Sequence, residues 1–138
     1  DGTPLKYGDK IQLLNAYTEA GYLDVWSDKL ASIYGPLLTK KDETDYPVFA
    51  SKNPRGASST WTVTALDGKT TGEVKEGAVI KLADGTPEHS DHFLEANGHV
   101  TAGKGPFADY KDSKLMVFTT DKEGFHAGSE QWQITLKK

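Results

Sequence analysis

The chain has 138 residues and no cysteine, so it is long enough to bury a hydrophobic core, and disulfide scaffolds, zinc-thiolate sites and thiol catalysis are excluded. Its 16 basic and 20 acidic residues give a formal charge of −4, and the single arginine, Arg55, lies in no basic cluster, which disfavours nucleic-acid binding. No apolar run approaches the roughly 20 residues that span a bilayer, so we expect no membrane span.

Two copies of one pattern, at residues 1–66 and 67–138, follow each other along the chain. An internal repeat constrains the architecture more firmly than local propensity does. We therefore expect a single domain, 1–138, in which the two units bury each other's apolar faces. Asp1-Gly2 matches Asp67-Gly68, and the further matches are 69 to 71 positions apart: Ile11 with Ile80, Leu23 with Leu94, Gly35-Pro36 with Gly105-Pro106, Phe49 with Phe118 and Trp61 with Trp132.

The first predicted element of each unit is ambiguous when one copy is considered alone. Ile11 and Leu14 have the spacing of an amphipathic helix. The matching segment, residues 78–82, is short, rich in branched residues and soon followed by Asp84-Gly85, which is typical of a strand that ends in a turn. Because the two units match, we interpret both segments as strands.

Later elements follow from turn residues between apolar runs. Asn97-Gly98 stands between apolar residues and predicts a type I′ hairpin turn, with Ser27-Asp28 at the matching place in the first unit. Ten short strands joined in this way predict an all-β fold, a pseudo-twofold barrel or sandwich, with a β-trefoil-like fold as the alternative. The strands predicted in the first unit are residues 10–16, 22–26, 29–34, 47–52 and 60–66, with counterparts in the second.

The last strand of each unit alternates polar and apolar residues. Side chains two positions apart lie on the same face of a strand, so Trp61 and Val63 share one face, as do Trp132 and Ile134. We predict that this face points inward, and that both tryptophans belong to the core rather than to a ligand platform.

The pattern Gly-Asp-x-Ile-x-Leu-x-Asn from Gly8, then Tyr22-Leu23-Asp24, then Trp61-x-Val, resembles the tandem repeat of secreted cyanobacterial water-stress proteins of the extracellular matrix. The resemblance covers nearly the whole chain and implies a matrix-associated protein that contacts polysaccharide, cut from a longer array. The chain starts at Asp1 and not at Met, as expected for a processed product. More distantly, the units resemble the leaves of β-trefoil MIR domains and ricin-type lectins, although Gln131-Trp132 matches only part of the lectin Gln-x-Trp signature.

Polar and aromatic residues at hairpin tips and strand ends are the candidate ligand-binding residues, because loops on a rigid β scaffold carry function. Aromatic rings pack against the C–H faces of sugars, and carboxylates or amides pair with hydroxyl groups. The predicted binding residues are Asn15, Tyr17, Asp24, Trp26, Arg55, Glu95, Asn97, His99 and His126. The alternative reading of Asp24 and Glu95 is that they are solvent-facing members of alternating strands.

Two other chemistries have weaker support in the sequence. Asp24 and Glu95 form a repeat-related carboxylate pair, which a glycoside hydrolase would need, but acid and base require different environments. His89, Asp91 and His92 have the side chains of a divalent-metal site, but we interpret this segment as a solvated loop and predict no metal. No motif for a cofactor occurs.

The sequence therefore predicts a non-catalytic, secreted protein that binds carbohydrate or belongs to an extracellular matrix. A protein-interaction, inhibitor or structural repeat module is the first alternative. A small glycoside hydrolase is the second. The partner expected from the leading hypothesis is a polysaccharide or glycan.

Overall fold

The computed structural model describes residues 2–17, 19–26, 46–54, 56–100, 114–121 and 127–135. In this part of the chain the fold is all-β, as predicted, with short 3-10 turns at Gly56–Ser59 and Pro87–His89 and no α-helix. The strands are β1 (Lys10–Ile11), β2 (Tyr22–Val25), β3 (Tyr46–Ser51), β4 (Trp61–Ala65), β5 (Val79–Asp84), β6 (Phe93–Val100), β7 (Lys114–Thr120) and β8 (Trp132–Gln133).

The strands pair antiparallel in one curled sheet that forms a half-barrel. The order across the sheet is β1-β4-β5-β6-β7-β3-β2, and β8 pairs with β5 outside this path. Strands β3 and β7 join the two halves of the chain, with Tyr46 opposite Thr119 and Pro47 opposite Phe118. This joint places Tyr46, which comes early in the chain, beside residues of the second half.

Three of the strands predicted in the first unit are confirmed, at β2, β3 and β4. The predicted strand 10–16 is shorter, because β1 covers only Lys10–Ile11 and is followed by an isolated bridge between Leu14 and Tyr22. No helix begins at Ile11, so the strand interpretation of this segment holds. The predicted strand 29–34 and the turn predicted at Ser27-Asp28 lie outside the described residues.

The hairpin turn predicted at Asn97-Gly98 is wrong. Both residues lie inside β6, which continues to Val100 and pairs with β7. The register shifts there, since Asn97 stands opposite Met116 and His99 stands opposite Leu115. Gly98 is therefore the extra residue of a β-bulge, a position that suits glycine as well as a tight turn does.

The core lies on the inner face of the curled sheet. Trp61, Val63 and Ile80 have no exposed surface, and Leu82 and Leu94 belong to the same cluster. The inward face predicted for the last strand of each unit is confirmed, because Trp132 and Ile134 are half-buried and pack against this cluster. Burying a large side chain of this kind stabilises a fold by about 2–3 kcal/mol.

Strand pairings found in the first half of the chain recur in the second half. Pairing of β1 with β4 matches pairing of β5 with β8, and pairing of β2 with β3 matches pairing of β6 with β7. The opposed residues also correspond: Lys10 with Thr62 and Val79 with Gln133, Ile11 with Trp61 and Ile80 with Trp132, Leu23 with Ala50 and Leu94 with Thr119, Asp24 with Phe49 and Glu95 with Phe118.

Candidate functional site

Two loops at matching places in the chain begin with the same side-chain hydrogen bond. The Tyr17 backbone N–H donates to Asn15 Oδ1 over 2.9 Å, and the Thr86 N–H donates to Asp84 Oδ1 over 2.8 Å. Such Asx turns fix the chain as it leaves a strand. We name residues 15–17 and 19–21 the first Asx loop, and residues 84–92 the second Asx loop.

Three aromatic rings meet at the second Asx loop. The Tyr46 ring centroid lies 4.8 Å from that of His89 and 5.5 Å from that of His92, and the two imidazoles are 5.1 Å apart. Tyr46 and His89 are half-buried, so part of each ring is accessible, whereas His92 is buried behind them. His92 Nδ1 lies 3.0 Å from Asp91 Oδ1, which orients the imidazole.

Buried polar atoms without partners lie beside these rings. Asp84 Oδ2, His92 Nε2 and Thr119 Oγ1 have no hydrogen-bond partner among the described residues. Thr119 is directly opposite Tyr46 in the sheet. A native structure leaves few such atoms unpaired, because each costs about 1–3 kcal/mol. These atoms are themselves buried, so they form a polar environment near the rings and are not part of the accessible surface.

The Asp84 side chain is only 1% exposed, and burial raises the pKa of its carboxyl group above the ordinary range. The Thr86 N–H and the nearby His89 and His92 act in the opposite direction by stabilising the charged form. Asp84 Oδ2 therefore lies in a desolvated environment, where a hydrogen bond is electrostatically stronger than in water.

Gly85 holds the second Asx loop close to the start of β4. Its N–H donates to the Thr60 carbonyl over 2.8 Å, and a Cβ at this position would lie 2.4 Å from the Thr60 oxygen. Glycine is therefore the residue that permits this approach. The contact fixes the direction of the chain after Asp84, the last residue of β5.

The first Asx loop is open to solvent. Tyr17 is 70% exposed, and Asn15 is exposed beside it. Lys52 Nζ and Glu19 Oε2 form a surface ion pair of 2.8 Å that links this loop to the segment after β3. The loop thus presents one aromatic ring and one amide, both of which were predicted to bind ligand.

The two predicted carboxylates have internal partners. Asp24 and Glu95 are each 1% exposed, so neither is a solvent-facing strand residue. Ser58 donates a hydrogen bond to Asp24, and Ser129 donates to Glu95 over 3.0 Å. In both halves the serine precedes by three positions a tryptophan that packs in or against the core, so each carboxylate ties this serine segment to the sheet.

Trp26 directly follows β2 and is half-buried. Its ring meets Phe49 edge to face at 6.1 Å, and its indole N–H points at Ser51 Oγ at 3.5 Å. Of the remaining predicted residues, Asn97 and His99 lie in β6 with side chains outside the described atoms. Arg55 and His126 lie outside the described residues.

Neither Tyr46 nor Asp84 is among the residues predicted to bind ligand, and His89 and His92 are predicted to lie in a solvated loop. Asp84 had a usable signal, because an offset of 69 residues aligns it with Asn15, a predicted binding residue. Tyr46 had none, since only the pairing of β3 with β7 brings it to the histidines.

Among the residues that the structure describes, no three His, Asp or Glu side chains are arranged to hold a metal ion. No helix within the same ranges is long and apolar enough to cross a membrane. No family model, curated protein or solved structure matches the chain.

Replacing Asp84 with asparagine is expected to stabilise the protein at pH 7 by about 1 kcal/mol, because the amide keeps the Thr86 hydrogen bond without a buried charge. The raised pKa means that the native state binds the Asp84 proton more tightly than the unfolded state. Wild-type stability relative to the variant should therefore fall as pH rises above about 4. Urea denaturation of both proteins from pH 3.5 to 7.5 measures this difference.

Asp67→Asn is the matched control for this substitution. Asp67 accepts the same type of turn hydrogen bond, from the Lys69 N–H at 3.0 Å, but is exposed. Its replacement should leave the free energy of unfolding within about 0.5 kcal/mol of wild type at every pH. A wild-type protein that is more stable than Asp84→Asn at pH 7 would contradict the role given to burial.

Proposed function

We propose that this chain is a non-catalytic, extracellular carbohydrate-binding protein of the matrix, built from two tandem units with one glycan site at the Asx loop of each. The observation that carries the proposal is the cluster at the second Asx loop, where three aromatic rings adjoin Asp84. The resemblance to secreted water-stress repeats supports the extracellular location.

The chemistry of the cluster suits a sugar. A pyranose has an apolar C–H face and a rim of hydroxyl groups, so it needs a flat ring on one side and fixed polar atoms at the edge. The half-buried rings of Tyr46 and His89 are tilted by 50° to each other, so one ring at a time can provide the flat surface. Asp84 Oδ2, His92 Nε2 and Thr119 Oγ1 are buried and lack partners among the described residues, so they can bond the hydroxyl groups of a sugar that displaces the surrounding side chains.

Two tandem units in a pseudo-twofold arrangement are supported by contacts that recur along the chain. The indole N–H of Trp61 donates to the Leu23 carbonyl over 3.2 Å, and that of Trp132 donates to the Leu94 carbonyl over 2.9 Å. Strands β3 and β7 are equivalent and pair antiparallel with each other, which is the relation that a local twofold axis produces, although the joint of β4 with β5 has no counterpart among the described residues. Matched binding loops follow from this arrangement.

A further pair of matching contacts, made by different residue types in the two units, also supports the tandem arrangement. Gln12 Nε2 donates to Ser59 Oγ over 3.0 Å in the first unit. The matching positions of the second unit carry Lys81 and Glu130, whose Nζ and Oε1 atoms are 4.0 Å apart. The same two positions interact in both units, although a neutral pair in one is replaced by a charged pair in the other.

The burial and hydrogen bonding of Asp24 and Glu95 favour a non-catalytic role over glycoside hydrolysis. Hydrolysis needs an acid and a second carboxylate that face the same glycosidic bond. Asp24 and Glu95 are instead buried, and each accepts a hydrogen bond from the serine of its own unit. Two separate anchoring roles explain both residues without a shared cleft.

The binding proposal predicts a loss of affinity when a platform ring is removed. A glycan array and pull-down on matrix polysaccharides identify the ligand, and isothermal titration calorimetry then compares wild type with His89→Ala and Tyr17→Ala. Each substitution should remove one class of site or weaken it by at least about tenfold, which corresponds to about 1.4 kcal/mol. The double variant should not bind.

Two control variants show whether a loss of affinity comes from the missing ring or from a general change in the loop structure. Glu88→Ala changes an exposed neighbour of His89, and Tyr17→Phe keeps the ring, so both should retain wild-type affinity. If no glycan binds at millimolar concentration, or if binding survives in the double variant, the proposed sites are wrong.

A further inference from the structure

Among the described residues, the half-barrel has two strand edges without a partner, and the matching edges elsewhere in the chain are paired. In β5, Leu82 and Ala83 are 6% and 7% exposed, because β4 lies against them with Val63 opposite Leu82 and Thr62 opposite Ala83. The matching residues of the first unit, Leu13 and Leu14, are 39% and 54% exposed. In the described part of the chain, no strand takes the place of β4 beside them.

The second open edge belongs to β8, which matches β4. One side of β4 pairs with β1 and the other with β5. One side of β8 pairs with β5, and along its other side the described residues supply no strand. Within the described residues, β8 therefore lacks the partner that β4 has in β5. Residues 11–15 likewise lack the partner that β5 has in β4.

Backbone geometry shows which groups face these edges. The N–H of Asn15 and the carbonyl of Leu13 bond toward β2, so the backbone groups of Leu14, between them, point to the open side. Ile134 bonds to Ala78 and Gly77 on the β5 side, so the backbone groups of Gln133 point away from β5. Both edges can form a regular antiparallel ladder.

The sequences of both edges lack the residues that usually prevent strand pairing. Natural edge strands are protected by lysine, proline, inward charges or a covering element. Residues 11–15, which read Ile-Gln-Leu-Leu-Asn, and residues 131–135, which read Gln-Trp-Gln-Ile-Thr, contain no charge and no proline. An edge without charge or proline favours association, and the exposed Leu13 and Leu14 add apolar surface to one of the two.

We propose that the β8 edge of one copy of this chain binds the exposed edge at residues 11–15 of a second copy. This contact between two molecules has the same strand pairing as the contact between β4 and β5 within one molecule. The register of that joint places Gln133 opposite Leu14 and Ile134 opposite Leu13. Because the two surfaces differ, the contact is head to tail and gives a closed ring or an open chain of copies.

Sedimentation velocity over a concentration series from about 1 μM to about 1 mM, the range of weak association, tests this proposal in the wild-type chain. The expected result is concentration-dependent association, which Leu14→Lys and Gln133→Pro each weaken at least about tenfold. Leu66→Lys is the control for the first, since Leu66 is 46% exposed and lies on neither edge. Gln133→Thr is the control for the second, since it keeps the backbone N–H.

Mixing the two edge variants provides the decisive step. Leu14→Lys retains an open β8 edge and Gln133→Pro retains the open edge at residues 11–15, so the mixture should form a one-to-one complex that neither variant forms alone. If Gln133→Pro does not fold by circular dichroism, Thr135→Lys replaces it, since Thr135 is exposed beyond β8. A wild-type chain that stays monomeric at about 1 mM, or variants that do not combine, would overturn the proposal.

Discussion

Replacing Trp61 with alanine should lower the free energy of unfolding by about 3–5 kcal/mol, the largest effect of any single substitution considered for this chain. The Trp61 side chain has no exposed surface and lies at the centre of the core, and its indole N–H donates to the Leu23 carbonyl. Removing it creates a cavity and leaves that carbonyl without its donor. Urea denaturation followed by circular dichroism measures the change without relying on tryptophan fluorescence.

Two related substitutions show which part of the effect comes from burial. Trp132 makes the same hydrogen bond, to the Leu94 carbonyl, but is half-buried, so Trp132→Ala should cost less than Trp61→Ala. Trp61→Phe keeps most of the volume and loses the donor, so it should cost about 1–2 kcal/mol. Equal losses for Trp61→Ala and Trp132→Ala would show that the difference in burial has no energetic consequence.

Glu95→Ala is expected to destabilise the protein by about 2–4 kcal/mol, because it removes a buried side chain and an acceptor of the Ser129 hydroxyl. Ser129→Ala should cost about 0.5–1.5 kcal/mol, the net contribution of a typical hydrogen bond. The double variant should lose less than the sum, since both substitutions remove one interaction. Chemical denaturation of the single and double variants gives the coupling energy.

The first unit provides an internal comparison for this cycle. Asp24 and Ser58 occupy the matching positions and form the same contact, so their cycle should also give a favourable coupling. Tyr17→Phe, which changes an exposed side chain that belongs to neither pair, should leave stability within about 0.5 kcal/mol of wild type. Strictly additive losses in both cycles would contradict the anchoring role of the two carboxylates.

Much of the β architecture could be predicted because the two copies of the pattern correct each other. Ile11 and Leu14 alone fit a helix, and only the matching segment around Ile80 favours a strand. Alternation around Trp61 and Trp132 also predicted the inward face, because a period of two assigns a face wherever one side of a sheet is buried. The strand at β1 is short because its pairing with β4 stops at Ile11.

Local signals failed where distant pairing decided the outcome. Asn97-Gly98 has the composition of a tight turn, but the ladder between β6 and β7 runs through it and uses Gly98 as a bulge. The burial of Asp24 and Glu95 depends on Ser58 and Ser129, each 34 residues further along the chain. Such distances are not encoded in a local pattern.

The candidate site could be predicted only in part for the same reason. Asn15 and Tyr17 were identified because they follow a strand and are polar or aromatic. The second Asx loop needs Tyr46 from β3 beside His89, and that contact exists only because β3 pairs with β7. The lack of partners for its buried polar atoms results from side-chain packing, which the hydrophobic pattern of a sequence does not reveal.

A crystal soaked in a mixture of monosaccharides at high concentration tests the central claim most directly. We expect sugar density at both Asx loops, against the Tyr17 ring in one and beside Tyr46, His89 and Asp84 in the other. Density confined to a cleft between Asp24 and Glu95, or two Asx loops that remain empty of sugar, would contradict the claim that each unit carries its own glycan site.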